Sequence, residues 1–435
     1  MEGIIVMAKP KDIVESTNPN NQQQSCLEEL KKSPLFYLSA GSKELFHSDF
    51  LYWLATQHWD VFICVMRDLA DLADGRQFWW ENTYSLENGN LEIRRESQHF
   101  DLVVYVFIDK KRLPVLVLEN KVKTLPNVEQ LISYTQKAEK EWVSKGETRE
   151  KKEKLTSILL SLIEAKRLLK NSGLKKIWSF KKYDDLLESL ESKPNKLTGF
   201  HKQLFSDYCS FIRALCGLAE SWTVNPSVLY LARMCPEALP ARDKKIFEKE
   251  YKKYLDLCDV RLDDVWQKVS FDNLRILVEN KLSTEGIYPK HFRKNKSGEM
   301  IGFYLDTGYS NRGHKGYIEL RYVLESHTFK NEPVCVIIQL EGNHYRYAVT
   351  GDNIVTNKIE ITPNRDSLKD KIDKATEKSI EDWITSQSMS GQNDWCHFGD
   401  SFIYRYRQIK SSETVKSIMH DIVNDAKVIQ AFFEA

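Results

Sequence analysis

Two apolar runs joined by a short polar connection constrain this chain more than any other feature. The first reads Phe100-Asp101-Leu102-Val103-Val104-Tyr105-Val106-Phe107-Ile108; the second, Pro114-Val115-Leu116-Val117-Leu118-Glu119-Asn120-Lys121, follows after Asp109-Lys110-Lys111-Arg112. Rows of β-branched and aromatic residues broken by such a connection predict the two strands of a hairpin. Asp101 then starts one strand and Glu119 ends the other, and in an antiparallel pair those two ends are neighbours. Lys121, two residues beyond Glu119, faces the same side of its strand. The spacing therefore brings two carboxylates and an ammonium to one rim of a buried sheet. Hard oxygen ligands there suit a divalent cation, and the lysine can steady charge that a reaction develops beside it. Within the 34 residues from Asp101 to Tyr134, Gln130 and Tyr134 stand four apart on a helix predicted from about Asn127, so they share a face.

Glu-x-Lys by itself says little, since it recurs at Glu150–Lys152, Glu250–Lys252 and Glu279–Lys281. The 279 copy lies among Phe271, Leu274, Leu277 and Val278 at helical spacing and reads as a solvated helix face. Only the 119 copy has a carboxylate one hairpin upstream and the Gln130–Tyr134 pair downstream.

Around this centre, Ser42 is a suitable cap for a helix reaching about Gln57, and Asp60 to Leu72 reads as a second helix. Glu87-Asn88-Gly89-Asn90 has the composition of a hairpin turn. Leu155 to Leu169 contains an apolar run that fits a buried strand or part of a helix; strand is the expectation, because it extends the sheet. Strands followed by covering helices make an α/β core.

Lys43-Glu44-Leu45-Phe46-His47-Ser48-Asp49-Phe50-Leu51-Tyr52-Trp53-Leu54 places Glu44 and His47 three apart on one helix face. Downstream lie Trp178-Ser179-Phe180-Lys181-Lys182-Tyr183 and Phe205-Ser206-Asp207-Tyr208. Taken with Asp101, Glu119-x-Lys121 and Gln130–Tyr134, these segments resemble the PD-(D/E)XK nuclease superfamily, and within it a branch whose opening helix carries Glu-x-x-His-Ser before Trp-Leu. The resemblance covers roughly residues 26–235. Phe100 stands where the superfamily's name has proline, and His99 stands near where relatives often carry arginine.

The resemblance implies a restriction-endonuclease-like α/β fold, a mixed sheet flanked by helices. It also implies hydrolysis of DNA by water attack under Mg2+, for which Mn2+ can substitute, in restriction, repair or phage defence. By the same likeness Asp101, Glu119 and the Asn120 carbonyl would hold the metal, with Glu44 completing the site. Lys121 would assist the nucleophile, Gln130 and Tyr134 would position the scissile phosphate, and His47 would touch substrate or add a ligand. The competing expectation is a catalytically silent restriction-like fold that binds nucleic acid or a partner protein. A homodimer would suit a nuclease that breaks both strands.

The 435 residues suffice for two domains. The expected division is a disordered polar segment over 1–25, the nuclease-like domain over 26–235, and a domain over 241–435 that reads substrate or regulates. Met234-Cys235-Pro236-Glu237-Ala238-Leu239-Pro240 marks the joint. Past it a helical stretch (about 243–283) leads to five strand-like runs, a helix at 366–386 and a final helix, an α+β pattern with a mostly antiparallel sheet. The net charge of +1 excludes a uniformly basic nucleic-acid binder, so any basic footprint is local. Residues 137–182 hold fourteen Lys/Arg against six Glu, which fits a phosphate-backbone patch and a solvated helix equally well. Tyr345-Arg346-Tyr347 and Tyr404-Arg405-Tyr406-Arg407 interleave aromatic and basic residues as single-strand nucleic-acid binders do, but the same alternation marks any half-buried strand, which is the expectation. The eight scattered cysteines lack any C-x-x-C pair and read as reduced thiols. No apolar run approaches a signal core or membrane span, so the cytoplasm is expected.

Overall fold

In the computed structural model, the described residues are 19–39, 43–72, 76–97, 100–122, 128–144, 155–163, 174–193, 197–289, 303–310, 315–329, 332–350, 396–398 and 402–434. The chain forms two compact units, Met1–Trp222 and Thr223–Ala435. The first runs α1 (Pro19–Lys32), α2 (Pro34–Ser39), α3 (Lys43–Gln57), α4 (Trp59–Leu69), β1 (Leu91–Ser97), β2 (Phe100–Ile108), β3 (Lys111–Lys121), α5 (Val128–Ser144), β4 (Thr156–Ser161), β5 (Trp178–Lys182), α6 (Tyr183–Glu191) and α7 (Gly199–Glu220).

β2 and β3 form the predicted hairpin. Its turn is tighter than the composition suggests: Ile108 pairs with Lys111, leaving only Asp109 and Lys110 in the loop. Both have positive φ, 51° and 63°, the geometry of a type I′ turn, whose twist matches that of the strands. Five strands line up as β1-β2-β3-β4-β5, antiparallel from β1 to β3 and parallel from β3 to β5. The run after Leu155 is therefore a strand, and α5 lies in the β3–β4 crossover. Leu102 to Val106 of β2 and Leu113 to Lys121 of β3 are buried without a break. Each aliphatic side chain among them contributes about 1.5–3 kcal/mol relative to exposure.

The two faces of this sheet have different covers. On one, Val103, Tyr105, Val117, Leu159, Trp178 and Phe180 pack with Leu131, Tyr134 and Ala138 of α5. On the other, α3 contacts β1, β2 and β3, while α4 meets α6 and α1 meets α7. A mixed sheet between helices is the restriction-endonuclease-like arrangement.

Two local expectations fail here. Gln77–Asn90 holds no strand, so Glu87–Asn90 closes no hairpin. Trp80, fully buried and stacked on Phe78, and Glu81, paired with Arg67 of α4, fold that segment onto the helices instead. β1 takes β2 as its partner. Residues 19–25, expected to be disordered, are helical within α1, because Leu27 and Leu30 are buried and the helix packs along α7.

In the second unit, α8 (Tyr230–Met234), α9 (Ala241–Ile246), α10 (Glu248–Asp259) and α11 (Asp263–Thr284) precede β6 (Phe303–Ser310), β7 (Lys315–Phe329), β8 (Glu332–Glu341), β9 (His344–Thr350), β10 (Cys396–Phe398), β11 (Phe402–Gln408) and α12 (Val415–Glu434). The six strands form an antiparallel sheet in the order β10-β11-β9-β8-β7-β6. Val224 to Leu239, which lead into and overlap the expected joint, pack into this unit's core with α11 and α12. Glu279 and Lys281 do lie at the solvent-exposed surface of α11, paired with Arg275 and Glu285 respectively. Tyr345 and Tyr347 point into the core, where both hydroxyls donate to Asp425 Oδ2, at 2.6 and 2.7 Å. The helix expected at 366–386 lies outside the described residues.

Candidate active site

The site is built where the β2–β3 ladder stops. Leu102 pairs with Leu118 and Val103 with Val117, so Asp101 stands opposite Glu119, one step beyond the last pair. In place of a further main-chain bond, the Asn120 N–H donates to Asp101 Oδ2 at 2.5 Å. The N–H and C=O of one strand residue point to the same side, so the Asn120 carbonyl also points towards β2. The next carbonyl, of Lys121, points the opposite way and accepts the Leu162 N–H at 3.0 Å.

Glu119 and Lys121 continue the alternation of Val117 and so face α5. Lys121 Nζ lies 2.7 Å from Glu119 Oε1, with side chains only 9% and 2% exposed. Charges so enclosed persist only where a partner offsets the loss of water. From α5, Tyr134 reaches the same place. Its hydroxyl accepts a hydrogen bond from Gln130 Nε2 at 2.6 Å, and its ring packs 5.2 Å from that of Phe100. Burial pushes the Tyr134 phenol above its ordinary pKa, and the Glu119 and Asp101 charges push the same way, while the Gln130 hydrogen bond and Lys121 pull it down. One hydroxyl thus senses both carboxylates and the ammonium. The structure brings together Asp101, Glu119, Lys121, Gln130 and Tyr134.

Of the other expected residues, Asn120 meets the rim through its main chain only, and His47 packs elsewhere. The Asn120 side chain points to the opposite face and donates from Nδ2 to Ser48 Oγ of α3 at 2.6 Å. His47, fully buried, hydrogen-bonds through Nδ1 with the Tyr208 hydroxyl at 2.9 Å, stacks on Phe211 and meets Tyr183 edge-on. That is an aromatic cage between α3, α6 and α7, and these contacts account for a histidine there on packing grounds. Glu44 belongs to α3, one turn before Ser48; its side chain lies outside the described residues. Ser48 drew no role from the sequence, although it stands in the Glu-x-x-His-Ser segment; that segment together with Asn120 was the available signal.

The donor chemistry fits a hard divalent cation. Two carboxylates at one rim, with a main-chain carbonyl directed alongside, are what Mg2+ takes while keeping several of its waters. No group of three or more His, Cys, Asp or Glu that could hold a metal occurs among the described residues. The seven cysteines with described side chains are free thiols. Among the described residues, no helix is long and apolar enough to cross a membrane.

Residues 35–213 match a family model, that of the PD-(D/E)XK nuclease superfamily. No curated protein and no solved structure matches the chain.

Proposed function

From the match of residues 35–213 to the PD-(D/E)XK nuclease superfamily, we propose that this protein is a Mg2+-dependent nuclease hydrolysing DNA phosphodiester bonds. Members of the superfamily are usually nucleases and generally use divalent metal ions. The observation that carries the proposal is the rim itself. Asp101 and Glu119 end side by side, Lys121 is paired with Glu119, and Tyr134 lies within the field of all three.

Asp101, Glu119 and the Asn120 carbonyl would hold the cation, with Glu44 as a further ligand. When bound, the metal lowers the pKa of water and neutralises charge on the phosphate. Lys121, its ammonium held within the rim by Glu119, stabilises charge gathering on the phosphoryl oxygens as water attacks and the P–O bond to the leaving sugar breaks. Tyr134 stays a neutral phenol at pH 7 and donates its O–H to a non-bridging oxygen. The Gln130 amide, donating to that same hydroxyl oxygen, strengthens the donation. His47 is the weakest member of the expected set, and a direct substrate contact by it would require the aromatic cage to open.

One observation favours the silent-scaffold reading: Asp101 and Glu119 already accept a main-chain N–H and a lysine ammonium. A plasmid-nicking assay with and without Mg2+ separates the two. The nuclease reading expects nicking that needs metal and falls about 10²–10⁴-fold in Asp101→Ala, the several kcal/mol a metal supplies. Metal-independent binding with no nicking would leave the scaffold. Labelled single- and double-stranded DNA and RNA, with Lys121→Ala losing cleavage but keeping binding, then test the choice of substrate.

A further inference from the structure

The residue between Glu119 and Lys121 is the least conspicuous of the three, yet it touches both faces of the sheet. Its main-chain N–H holds Asp101 Oδ2 at 2.5 Å, and its side-chain amide holds Ser48 Oγ at 2.6 Å. Asn120 and Ser48 are both fully buried, and the Asn120 Oδ1 oxygen is enclosed with no hydrogen-bond partner among the described residues. A buried amide is costly to leave unpaired, and its Nδ2 finds an acceptor in a hydroxyl 72 positions earlier in the chain. An apolar residue would fill the same space without that requirement. Val115, Leu116, Val117 and Leu118 do so immediately upstream.

We infer that Ser48 and Asn120 are positioning residues for the metal-binding carboxylate, an inference that rests on the nuclease reading above. The Ser48–Asn120 bond pins the last residues of β3 against α3. That pinning fixes where the Asn120 N–H points, and the N–H fixes the rotamer of Asp101. The same bond ties the strand carrying Glu119 to the helix carrying Glu44, one turn from Ser48. Neither side chain touches metal or substrate. Their effect is exerted through Asp101, as partners outside the ligand shell act on metal ligands generally.

The test is Mn2+ affinity of the full chain, measured by titration without nucleic acid, in wild type, Ser48→Ala and Asp101→Asn. Loss of an orienting partner is expected to weaken Mn2+ binding about 10–100-fold in folded Ser48→Ala. Cleavage should recover towards wild type at high Mn2+, with KM for the nucleic acid unchanged. A structural role alone would lower the melting temperature and leave the Mn2+ dissociation constant where it was, and that outcome overturns the inference. Ser48→Cys keeps nearly the same volume with a much weaker acceptor and carries the same expectation should the alanine variant fail to fold. Asp101→Asn separates the two levels of the argument. If it abolishes Mn2+ binding while both Ser48 variants bind normally, only the positioning role falls; if it too binds normally, the metal-site reading falls with it.

Discussion

Replacing Lys121 with methionine tests whether the Glu119–Lys121 pair is as enclosed as its geometry indicates. At the observed 2.7 Å, and with an effective dielectric near 20, the two charges attract by about 6 kcal/mol. Removing both from water takes back most of that, so the net worth of the intact pair is small. Removal of one partner is different, because the other charge stays buried without it, at a cost of about 3–5 kcal/mol. Lys121→Met should therefore destabilise the first unit by that amount. With a slope of about 2 kcal/mol per molar urea, the midpoint falls by roughly 1.5–2.5 M. Urea-dependent hydrogen exchange, read on amides of β2 and β3, keeps the second unit's own transition out of the measurement. The double variant Glu119→Leu/Lys121→Met removes both charges and keeps the volume, and should recover most of the lost stability while remaining inactive. A single variant within about 0.5 M of wild type, on the same scale, would show the pair to be solvated. A double variant weaker than the single one would show that apolar groups cannot replace the pair. Either result refutes the reasoning.

Tyr134→Phe addresses the phenol. Its pKa is raised, so its contribution to stability is fully present below the unfolded value near pH 10 and is lost as pH rises through the folded value. The variant should flatten the alkaline limb of the first unit's stability profile; an unchanged limb would contradict the burial. His47→Phe should keep the aromatic cage, lose about 1–3 kcal/mol by leaving the Tyr208 hydroxyl unpaired, and retain metal-dependent cleavage within about tenfold. Larger losses of cleavage at saturating metal would make His47 a ligand or substrate contact. In the second unit, Asp425→Leu strands two buried tyrosine hydroxyls and should cost about 2–6 kcal/mol in a melt of that unit. A loss below about 1 kcal/mol would mean that water replaces the carboxylate.

The hairpin and its charged ends were legible because they are local. Strand length, turn chemistry and antiparallel pairing place Asp101 opposite Glu119 with 17 residues between them, and the alternation of side chains puts Lys121 beside Glu119. Helical spacing did the same for Gln130 and Tyr134. The segment around Glu87–Asn90 misled because turn residues signal a change of direction and not a partner strand. Trp80 packs against Trp59 and Glu81 pairs with Arg67, both residues of α4. Polar composition misled at residues 19–25 in the same way, since α1 depends on Leu27 and Leu30 finding α7 far along the chain.

What the amino-acid order by itself determined is therefore the rim: which ionisable groups meet, in what sequence, on which face of a buried sheet. Only the tertiary structure decided what lies behind it. It turned His47 into an aromatic cage, aimed the Asn120 amide at Ser48, and set the Tyr134 hydroxyl in the field of three charges. The physical reason is the range of the contacts. Pairings across a two-residue turn follow from backbone geometry and periodicity, whereas a bond between residues 72 or 161 positions apart depends on how whole helices settle against the sheet.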